Sequence, residues 1–221
     1  MSTWAVLVAA GRGERLGLDQ PKAFANLGGD PLLAESLRRL DDSGWVDAIV
    51  VVAPAGWEEP AILLAEELGC GKVSACVAGG AERADSVRNG LAEVPEDAVA
   101  VLVHDAARPL VSDEVIGRVL APLSEGWDGV VPGLPVADTL KRVGDGGAVL
   151  ETVARDSLYA VQTPQAFPVD TLRRALASHG GATDCAGSVE AAGGRVTVVA
   201  GDPQLLKVTT ADDLAKIASW L

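Results

Sequence analysis

The sequence is poor in positive charge. It contains 18 lysines and arginines against 31 acidic residues, which gives a formal net charge of −13 at pH 7. A general binder of nucleic acid or of anionic membranes needs a basic surface, so this balance argues against both classes. We therefore expect neither a nucleic acid nor a membrane as a partner. An anionic ligand would have to be bound by a local cluster of basic residues.

Long apolar runs are also missing. The apolar run that starts at Trp4 is far shorter than the roughly 18 residues of a membrane-spanning helix. It leads into a charged loop, a pattern that is not typical of a signal peptide. The three cysteines, Cys70, Cys76 and Cys185, lack metal-ligand spacing and predict buried thiols in a reducing compartment. These features favour a cytoplasmic protein.

Histidine is scarce, since His104 and His179 are the only two in the sequence. Neither lies in a nucleophile-elbow or metalloprotease motif. A reaction catalysed by this chain is therefore expected to need no general base. Phosphoryl chemistry with an ionised phosphate as nucleophile meets that condition, because the second phosphate pKa is about 6. The rate acceleration can then come from positioning of the two substrates and neutralisation of the phosphate charge.

Short apolar runs alternate with segments of helical character. The apolar runs are Trp4–Ala10, Val46–Ala53, Lys72–Gly79, Ala98–His104, Asp128–Pro135 and Arg195–Gly201. Their hydrophobicity is continuous, which predicts strands covered on both faces and a mostly parallel sheet. Helices are predicted to start at Asp30, Ser112 and Thr210. The pattern indicates a Rossmann-like α/β fold, a mostly parallel sheet sandwiched by helices.

One segment interrupts this alternation. Residues 138–162 read as extended pieces around the turn Gly144–Gly147. We expect a single domain over residues 1–221 in which this segment is an inserted, projecting β-arm. Because an isolated hairpin is only marginally stable, the arm is expected to pack against a second subunit in a homodimer. The alternative is a hairpin that folds back onto its own domain.

The glycine-rich turn after the first apolar run fits neither of two common phosphate-binding motifs. The dinucleotide fingerprint requires glycine at the position of Leu16, whereas the third glycine is Gly17. The P-loop motif requires lysine at the position of Leu18. The mismatch in the first motif disfavours an NAD-dependent oxidoreductase.

The same turn carries three cations on a permissive backbone. Gly11 and Gly13 allow a ligand to approach main-chain N–H groups closely. Arg12, Arg15 and Lys22 add positive side chains within one short segment. This combination favours a cradle for a polyphosphate. The alternative is an ordinary strand-to-helix turn whose basic residues face the solvent.

Further polar residues follow the ends of other predicted strands, where ligands bind in open α/β sheets. Gly79 and Gly80 lead into a predicted helix whose first turns carry Arg83, Asp85 and Ser86. This setting suits an anion or the polar edge of a base. The alternative is an ordinary glycine turn. Lys207 follows the last predicted strand, and a solvated lysine is the alternative there.

Asp105 follows the fourth apolar run. A carboxylate beside phosphate-binding loops is a natural ligand for Mg²⁺, which takes one or two carboxylates together with phosphate oxygens. The alternative is an ion pair between Asp105 and Arg108 that only fixes the turn.

Seven motifs, in order along nearly the whole chain, resemble those of 2-C-methyl-D-erythritol 4-phosphate cytidylyltransferases. They are AAGRGERLG with PKAF, GGAERADSV, VHDAARP, PVADTLKR, TVARDSLYAVQTPQAF, the pair Thr183–Asp184, and LLKVTTADDL. The resemblance implies transfer of CMP from CTP to methylerythritol phosphate with release of pyrophosphate, a step of non-mevalonate isoprenoid synthesis. CTP and a polyol phosphate are the partners that it implies.

The resemblance also implies roles for individual residues. Arg15 and Lys22 would stabilise charge at the α-phosphate, while Lys207 and Arg155 would position the acceptor, with Arg155 coming from the dimer partner. The implied CTP-binding residues are Ala9, Ala10, Gly11, Gly13, Gly80, Asp85 and Ser86. The implied substrate-site residues are Asp105, Arg108, Thr139, Thr163 and Thr183, of which Asp105 would also hold Mg²⁺.

The chain departs from the family pattern at a few positions. Cys185 and Ala81 occupy positions that are often acidic, and Gln204 leaves a second metal carboxylate in question, with Asp202 as a weak substitute. Two other readings stay open. One is a cytidylyltransferase for another polyol phosphate such as ribitol 5-phosphate, and the other is a nucleotide-binding module without catalysis.

Overall fold

The computed structural model describes residues 2–11, 13, 17, 19–178 and 181–221. The strands of this part of the chain are β1 (Thr3–Val8), β2 (Asn26–Leu27), β3 (Asp30–Pro31), β4 (Ala48–Ala53), β5 (Val73–Ala78), β6 (Ala100–Asp105), β7 (Gly129–Pro135), β8 (Leu140–Val143), β9 (Val149–Val153), β10 (Tyr159–Val161), β11 (Gln165–Pro168) and β12 (Val196–Ala200). The α-helices are α1 (Leu32–Asp42), α2 (Glu58–Leu68), α3 (Arg83–Ala92), α4 (Asp113–Leu120), α5 (Val169–Ser178), α6 (Cys185–Ala191) and α7 (Ala211–Ala218).

Eight strands form the central sheet in the order β10-β7-β11-β6-β1-β4-β5, with β12 pairing with β7 off this path. Strands β5, β4, β1 and β6 run parallel to one another, and β12 runs parallel to β7. Strands β11 and β10 pair in antiparallel fashion with their neighbours. The mostly parallel α/β sheet predicted from the sequence is confirmed.

Helices cover both faces of this sheet. Leu7 of β1 belongs to a core cluster with Leu37 of α1, and helices α2 and α4 pack on the same face. The next residue back, Val6, belongs to a second cluster with Leu91 of α3, to which α5 and α6 contribute. Successive strand residues therefore bury opposite faces, which explains why the predicted strands are continuously apolar.

All six predicted strands are confirmed, with ends that shift by no more than two residues. The sequence pattern did not predict β11, which pairs in antiparallel fashion with β6 and β7. It placed β10 in the arm, whereas β10 pairs with β7 of the central sheet. Ser112 and Thr210 are helix N-caps as predicted, since their hydroxyl groups accept the backbone N–H groups of Val115 and Asp213.

The predicted helix start at Asp30 is wrong. Asp30 and Pro31 form β3, where Asp30 pairs with Leu27, and α1 begins at Leu32. Pro31 has an extended backbone, with φ −59° and ψ 145°, so it precedes the helix instead of entering its first turn. The side chain of Asp30 forms an ion pair with Arg38 at 2.5 Å and caps nothing.

Strands β8 and β9 form a separate two-stranded sheet. It lies within the segment expected to form the arm, and the turn between the strands contains Gly146 and Gly147 at positive φ. Val149 and Leu150 are 60% and 65% exposed, so this hairpin does not bury its apolar side chains within the chain. No helix among the described residues has the length and hydrophobicity needed to cross a bilayer.

Candidate active site

A cavity of about 480 Å³ opens beyond the carboxyl ends of β1, β5 and β6. The parallel pairing of β1 with β6 places Val8 beside Asp105, so the loops after these two strands start side by side. The chain leaves β1 towards β4 on one side, whereas β6 lies on the other side. This switch in strand order is where open α/β sheets form their ligand-binding crevices.

The cavity collects residues from the whole length of the chain. Eight of the site residues expected from the sequence line it: Ala9, Ala10, Gly11, Lys22, Gly80, Ser86, Asp105 and Lys207. They come from regions that the sequence separates by almost 200 positions. The two lysines and the carboxylate give this cavity the charged character that a polyphosphate site requires.

The turn between β5 and α3 forms one wall. The hydroxyl of Ser86 accepts the backbone N–H of Gly80 at 3.1 Å and donates to the carbonyl of Glu82 at 3.2 Å. A Cβ at Gly79 would clash with Cβ of Ala10, so only glycine permits this turn to approach the loop after β1. Asp85, in the first turn of α3, accepts the N–H of Glu82 at 3.2 Å.

Lys22 is placed by the glycine-rich loop. Gly13 has a φ of +69°, and a Cβ there would lie 2.5 Å from Cβ of Lys22. Pro21 has an extended backbone directly before the lysine, and the Lys22 ammonium donates to the carbonyl of Val208 at 3.1 Å. Lys22 is thus held between the loop after β1 and the segment that follows Lys207. Arg15 and Arg12 lie outside the described residues.

Asp105 carries the main charge contacts of the cavity. Its Oδ1 accepts from Nη2 of Arg83 at 2.9 Å, and its Oδ2 accepts from Nζ of Lys207 at 2.7 Å. Burial opposes ionisation of Asp105, but the charges of Arg83 and Lys207 outweigh it and hold the pKa of the carboxyl well below its usual range. The alternative ion pair between Asp105 and Arg108 is wrong, because the guanidinium of Arg108 instead donates to the carbonyl of Leu205 at 2.5 Å.

The loop that carries Lys207 is anchored by Gln162. The Gln162 side chain is 5% exposed, and its amide donates to the carbonyl of Asp202 at 2.8 Å while its oxygen accepts the N–H of the same residue at 3.0 Å. This pair of bonds imitates a strand pairing and fixes the start of the loop. Asp202 binds Gln162 through its backbone groups, while its carboxylate accepts the N–H of Gln204 at 2.8 Å.

Thr163 anchors the loop that carries Asp105. Its hydroxyl accepts the N–H of Asp105 at 3.0 Å and lies 3.2 Å from Nδ1 of His104. The carbonyl of Arg108 can only accept, so Nε2 of His104 carries the ring proton and donates to it at 3.0 Å. In the neutral ring Nδ1 then accepts the hydroxyl proton of Thr163. Burial lowers the pKa of His104 to about 4, so the ring is neutral.

A third anchor joins Gln165 to the segment around Thr183. The Gln165 amide donates to the carboxylate of Asp184 at 2.7 Å, and its oxygen accepts the N–H of Ala186 at 3.3 Å. Thr183 itself is exposed. Gln165, with Gln162 and Thr163, thus fixes three separate loops around the cavity, a role that the sequence analysis did not assign to either glutamine.

The other expected site residues that the structure describes do not line the cavity. They are Gly13, which supports Lys22, together with Asp85, Arg108, Thr139, Arg155, Thr163 and Thr183. Thr139 and Arg155 are exposed at the base of the β8–β9 hairpin, where Arg155 donates to the backbone carbonyl of Ala137 in the same chain. Within this one chain they are set apart from the cavity wall.

The sequence analysis placed Arg83 in the first turn of a helix but did not assign it to the site. Arg83 lines the cavity, contacts Asp105 through both Nε and Nη2, and lies 3.5 Å from Sγ of Cys185 through Nη1. Its place in the first turn of a helix behind Gly79 and Gly80 was the available signal. Its partner Asp105 lies 22 positions further along the sequence, and only the fold shows that the two are in contact.

The donor set fits a divalent cation that is shared with a phosphate ligand. Asp105 is a hard oxygen donor that stays ionised, and it faces the cavity beside Lys22 and Lys207. The described residues contain no group of three or more His, Cys, Asp or Glu side chains able to hold a metal. A metal here would therefore take most of its ligands from a bound phosphate and water, as Mg²⁺ commonly does.

Comparison with known proteins supports one family over almost the entire chain. Residues 3–221 match the family profile described as IspD: 2-C-methyl-D-erythritol 4-phosphate cytidylyltransferase. The chain is 51% identical over 219 residues to the protein of that name from Saccharopolyspora erythraea, with 97% of each chain covered. It is 50% identical over 213 residues to the protein of the same name from Nocardia farcinica, covering 96% of this chain and 91% of the relative.

Solved structures agree with the sequence comparison. The crystal structure of 2-C-methyl-D-erythritol 4-phosphate cytidylyltransferase from Thermus thermophilus is 34% identical with a TM-score of 0.79, and the match covers 97% of this chain and 96% of that one. The 4-diphosphocytidyl-2C-methyl-D-erythritol synthase from Anaerococcus prevotii is 27% identical with a TM-score of 0.84, covering 99% and 97%.

Proposed function

The chain belongs to the IspD family of 2-C-methyl-D-erythritol 4-phosphate cytidylyltransferases, and we propose that the cavity beyond β1, β5 and β6 is where it performs the family's reaction. The enzyme transfers CMP from CTP to 2-C-methyl-D-erythritol 4-phosphate, giving 4-diphosphocytidyl-2-C-methyl-D-erythritol and pyrophosphate in non-mevalonate isoprenoid biosynthesis. The resemblance stated from the motifs is confirmed. Neither ribitol 5-phosphate as acceptor nor a module without catalysis is favoured by these relatives.

We assign the cytidine end of CTP to the wall formed by the loop after β1 and the turn before α3. Ala9, Ala10 and Gly11 line one side of this wall, and Gly80 and Ser86 line the other. Backbone groups and one buried hydroxyl suit the polar edge of a pyrimidine, because they are fixed before the ligand arrives. Asp85 supports this wall from the first turn of α3.

The phosphate groups are assigned to the basic residues of the cavity. An ionised phosphate oxygen of the acceptor attacks the α-phosphorus of CTP, a new P–O bond forms, and the bond to the bridging oxygen of pyrophosphate breaks. Lys22 and, from the glycine-rich loop, Arg15 stabilise the charge that develops on the α-phosphate. Because the nucleophile is already ionised, this step needs no histidine as a base.

Asp105 is the residue that would hold Mg²⁺. When bound with CTP, the metal neutralises charge on the triphosphate and favours the departure of pyrophosphate. The support for this assignment is an ionised carboxylate in the cavity wall beside two lysines. Asp202 is a poor second ligand, since its carboxylate already accepts the N–H of Gln204.

The acceptor is assigned to the side of the cavity at Lys207, whose ammonium would bind its phosphate. Arg155 and Thr139 lie at the base of the hairpin, so we propose that they act in the site of a second subunit in a homodimer. Exposed Val149 and Leu150 on that hairpin give the apolar surface which such a contact needs. The same end of the site is supported by Arg108, which binds the carbonyl of Leu205, and by Thr163, which binds the N–H of Asp105. We assign Thr183 to the edge of this end.

We also propose a cytoplasmic enzyme, in line with three free cysteines. The observation that carries the functional proposal is the convergence of Lys22, Asp105 and Lys207 on one cavity. The test is release of pyrophosphate from CTP and Mg²⁺ with a panel of polyol phosphates, repeated with ATP, GTP and UTP. Release with CTP and methylerythritol phosphate is expected. Equal rates with ribitol 5-phosphate or with ATP would contradict the assignment.

A further inference from the structure

The carboxylate of Asp105 is held by two cations at once. Arg83 binds Oδ1 at 2.9 Å and Lys207 binds Oδ2 at 2.7 Å, and the carboxylate side chain is only 10% exposed. Each oxygen therefore already accepts a charge-assisted hydrogen bond, which is stronger than a neutral one. The ion-paired group as a whole carries one net positive charge.

The neighbouring groups do not offset the net positive charge of Asp105, Arg83 and Lys207. Cys185 lies beside Arg83, but burial raises the pKa of its thiol, so it stays neutral. Glu82 also lines the cavity, but its charge is matched by that of Lys22 in the same wall. The described part of the chain holds no cluster of three metal-ligating side chains there. A divalent cation that approaches Asp105 without a nucleotide thus meets two positive groups and one shared carboxylate.

We propose that Arg83 is a positioning residue that holds Asp105 in an ion pair and repels a free divalent cation from it. The metal would then enter the site only together with CTP. The triphosphate brings the negative charge that offsets Arg83 and Lys207 and the oxygens that complete the metal's ligand set. Once the metal shares Asp105, the ammonium of Lys207 becomes available to the acceptor phosphate. This inference rests on the proposed assignment of Asp105 as the metal ligand.

The effect of removing the guanidinium follows from Coulomb's law. Even with the dielectric constant of bulk water, a doubly charged ion about 6 Å from a single positive charge is repelled enough to weaken its binding on the order of tenfold. Arg83→Gln should therefore bind Mn²⁺ alone about tenfold more tightly than the unmodified protein. A residue that served only to stabilise the fold would weaken metal binding or leave it unchanged.

The experiment is a titration of the protein with Mn²⁺ alone, without CTP or acceptor, followed by water-proton relaxation. Arg83→Lys keeps a positive charge and should bind as weakly as the unmodified protein. Arg39→Gln is the matched control, because it breaks a 2.6 Å ion pair with Glu35 on α1, away from the cavity. The gain of Arg83→Gln should disappear in the double variant with Asp105→Asn.

Unchanged Mn²⁺ affinity in Arg83→Gln, or a gain that persists without Asp105, would overturn the proposal. If circular dichroism shows that Arg83→Gln has lost its fold, Lys207→Gln provides the same test, since it removes the second cation and should also bind Mn²⁺ more tightly. The measurement uses neither substrate. A missing effect here is therefore distinct from a failure of pyrophosphate release by the unmodified protein, which alone would count against the proposed function.

Discussion

The Lys207 ammonium lies 2.7 Å from Oδ2 of Asp105, a contact between residues 102 positions apart in the sequence. It joins the end of a central strand to a loop near the carboxyl terminus, and it places both groups in the wall of one cavity with Lys22. The proposed reaction depends on this convergence. The predictions below test its components separately.

Lys22→Ala should lower kcat by about 10²–10³-fold and change CTP affinity by only a few fold. The reason is that its charge is matched to the α-phosphate as negative charge develops there. Steady-state kinetics and CTP binding by calorimetry measure the two quantities. Lys216→Ala, on α7 beside Trp220, removes the same charge outside the cavity and should leave both unchanged. Equal losses in kcat and CTP affinity would argue against the role.

Gly13→Ala should reduce kcat because the new Cβ would lie 2.5 Å from Cβ of Lys22 and displace that side chain. Gly17→Ala is the matched control. Gly17 has a similar φ of +64°, but a Cβ there meets no atom of the described residues within 4 Å. Both variants therefore carry comparable backbone strain, and only Gly13→Ala is expected to move Lys22. If both variants lose kcat equally, strain alone explains the effect and the positioning of Lys22 is not its cause.

His104 should make the protein less stable in mild acid. Its folded pKa of about 4 lies below the roughly 6.5 of an unfolded histidine, so the unfolded chain takes up the proton first as the pH falls. The stabilisation from the neutral ring is complete above about pH 6.5 and declines towards pH 4. Between pH 7 and pH 5 this amounts to on the order of 2 kcal/mol of unfolding free energy.

Urea denaturation at both pH values measures this difference, which should be smaller by that amount in His104→Gln. His179→Gln removes the other histidine and should keep the slope of the unmodified protein. Parallel pH dependence in His104→Gln and the unmodified protein would contradict the buried, neutral ring.

The sequence could predict the fold and the strand-end residues for one reason: both are local. Continuous apolar runs identify strands such as β4. Gly80 and Asp105 directly follow such runs, and Lys207 lies a few residues beyond the last one. The contacts that complete the site are not local. Arg83 meets Asp105, and Gln162 meets Asp202, only after the sheet has formed. Asp30 was misread because a capping pattern before Pro31 also suits a short strand pairing.

Arg155→Ala should weaken use of the polyol phosphate, seen as a raised KM for the acceptor with little change in the KM for CTP. If the hairpin acts across a dimer, mixing Arg155→Ala with Lys22→Ala subunits should restore activity, because one of the two mixed sites keeps both residues. Activity of the mixture that equals the mean of the two variants would indicate that Arg155 serves its own chain.

The most direct test of the account is a crystal structure with CTP and Mg²⁺ bound. We expect the triphosphate in the cavity beyond β1, β5 and β6, with Nζ of Lys22 and the guanidinium of Arg15 within about 4 Å of its oxygens. The cytosine should lie against Gly80 and Ser86, and the metal should contact Asp105. Nucleotide bound elsewhere, with Lys22 and Lys207 turned away from the phosphates, would contradict the central claim.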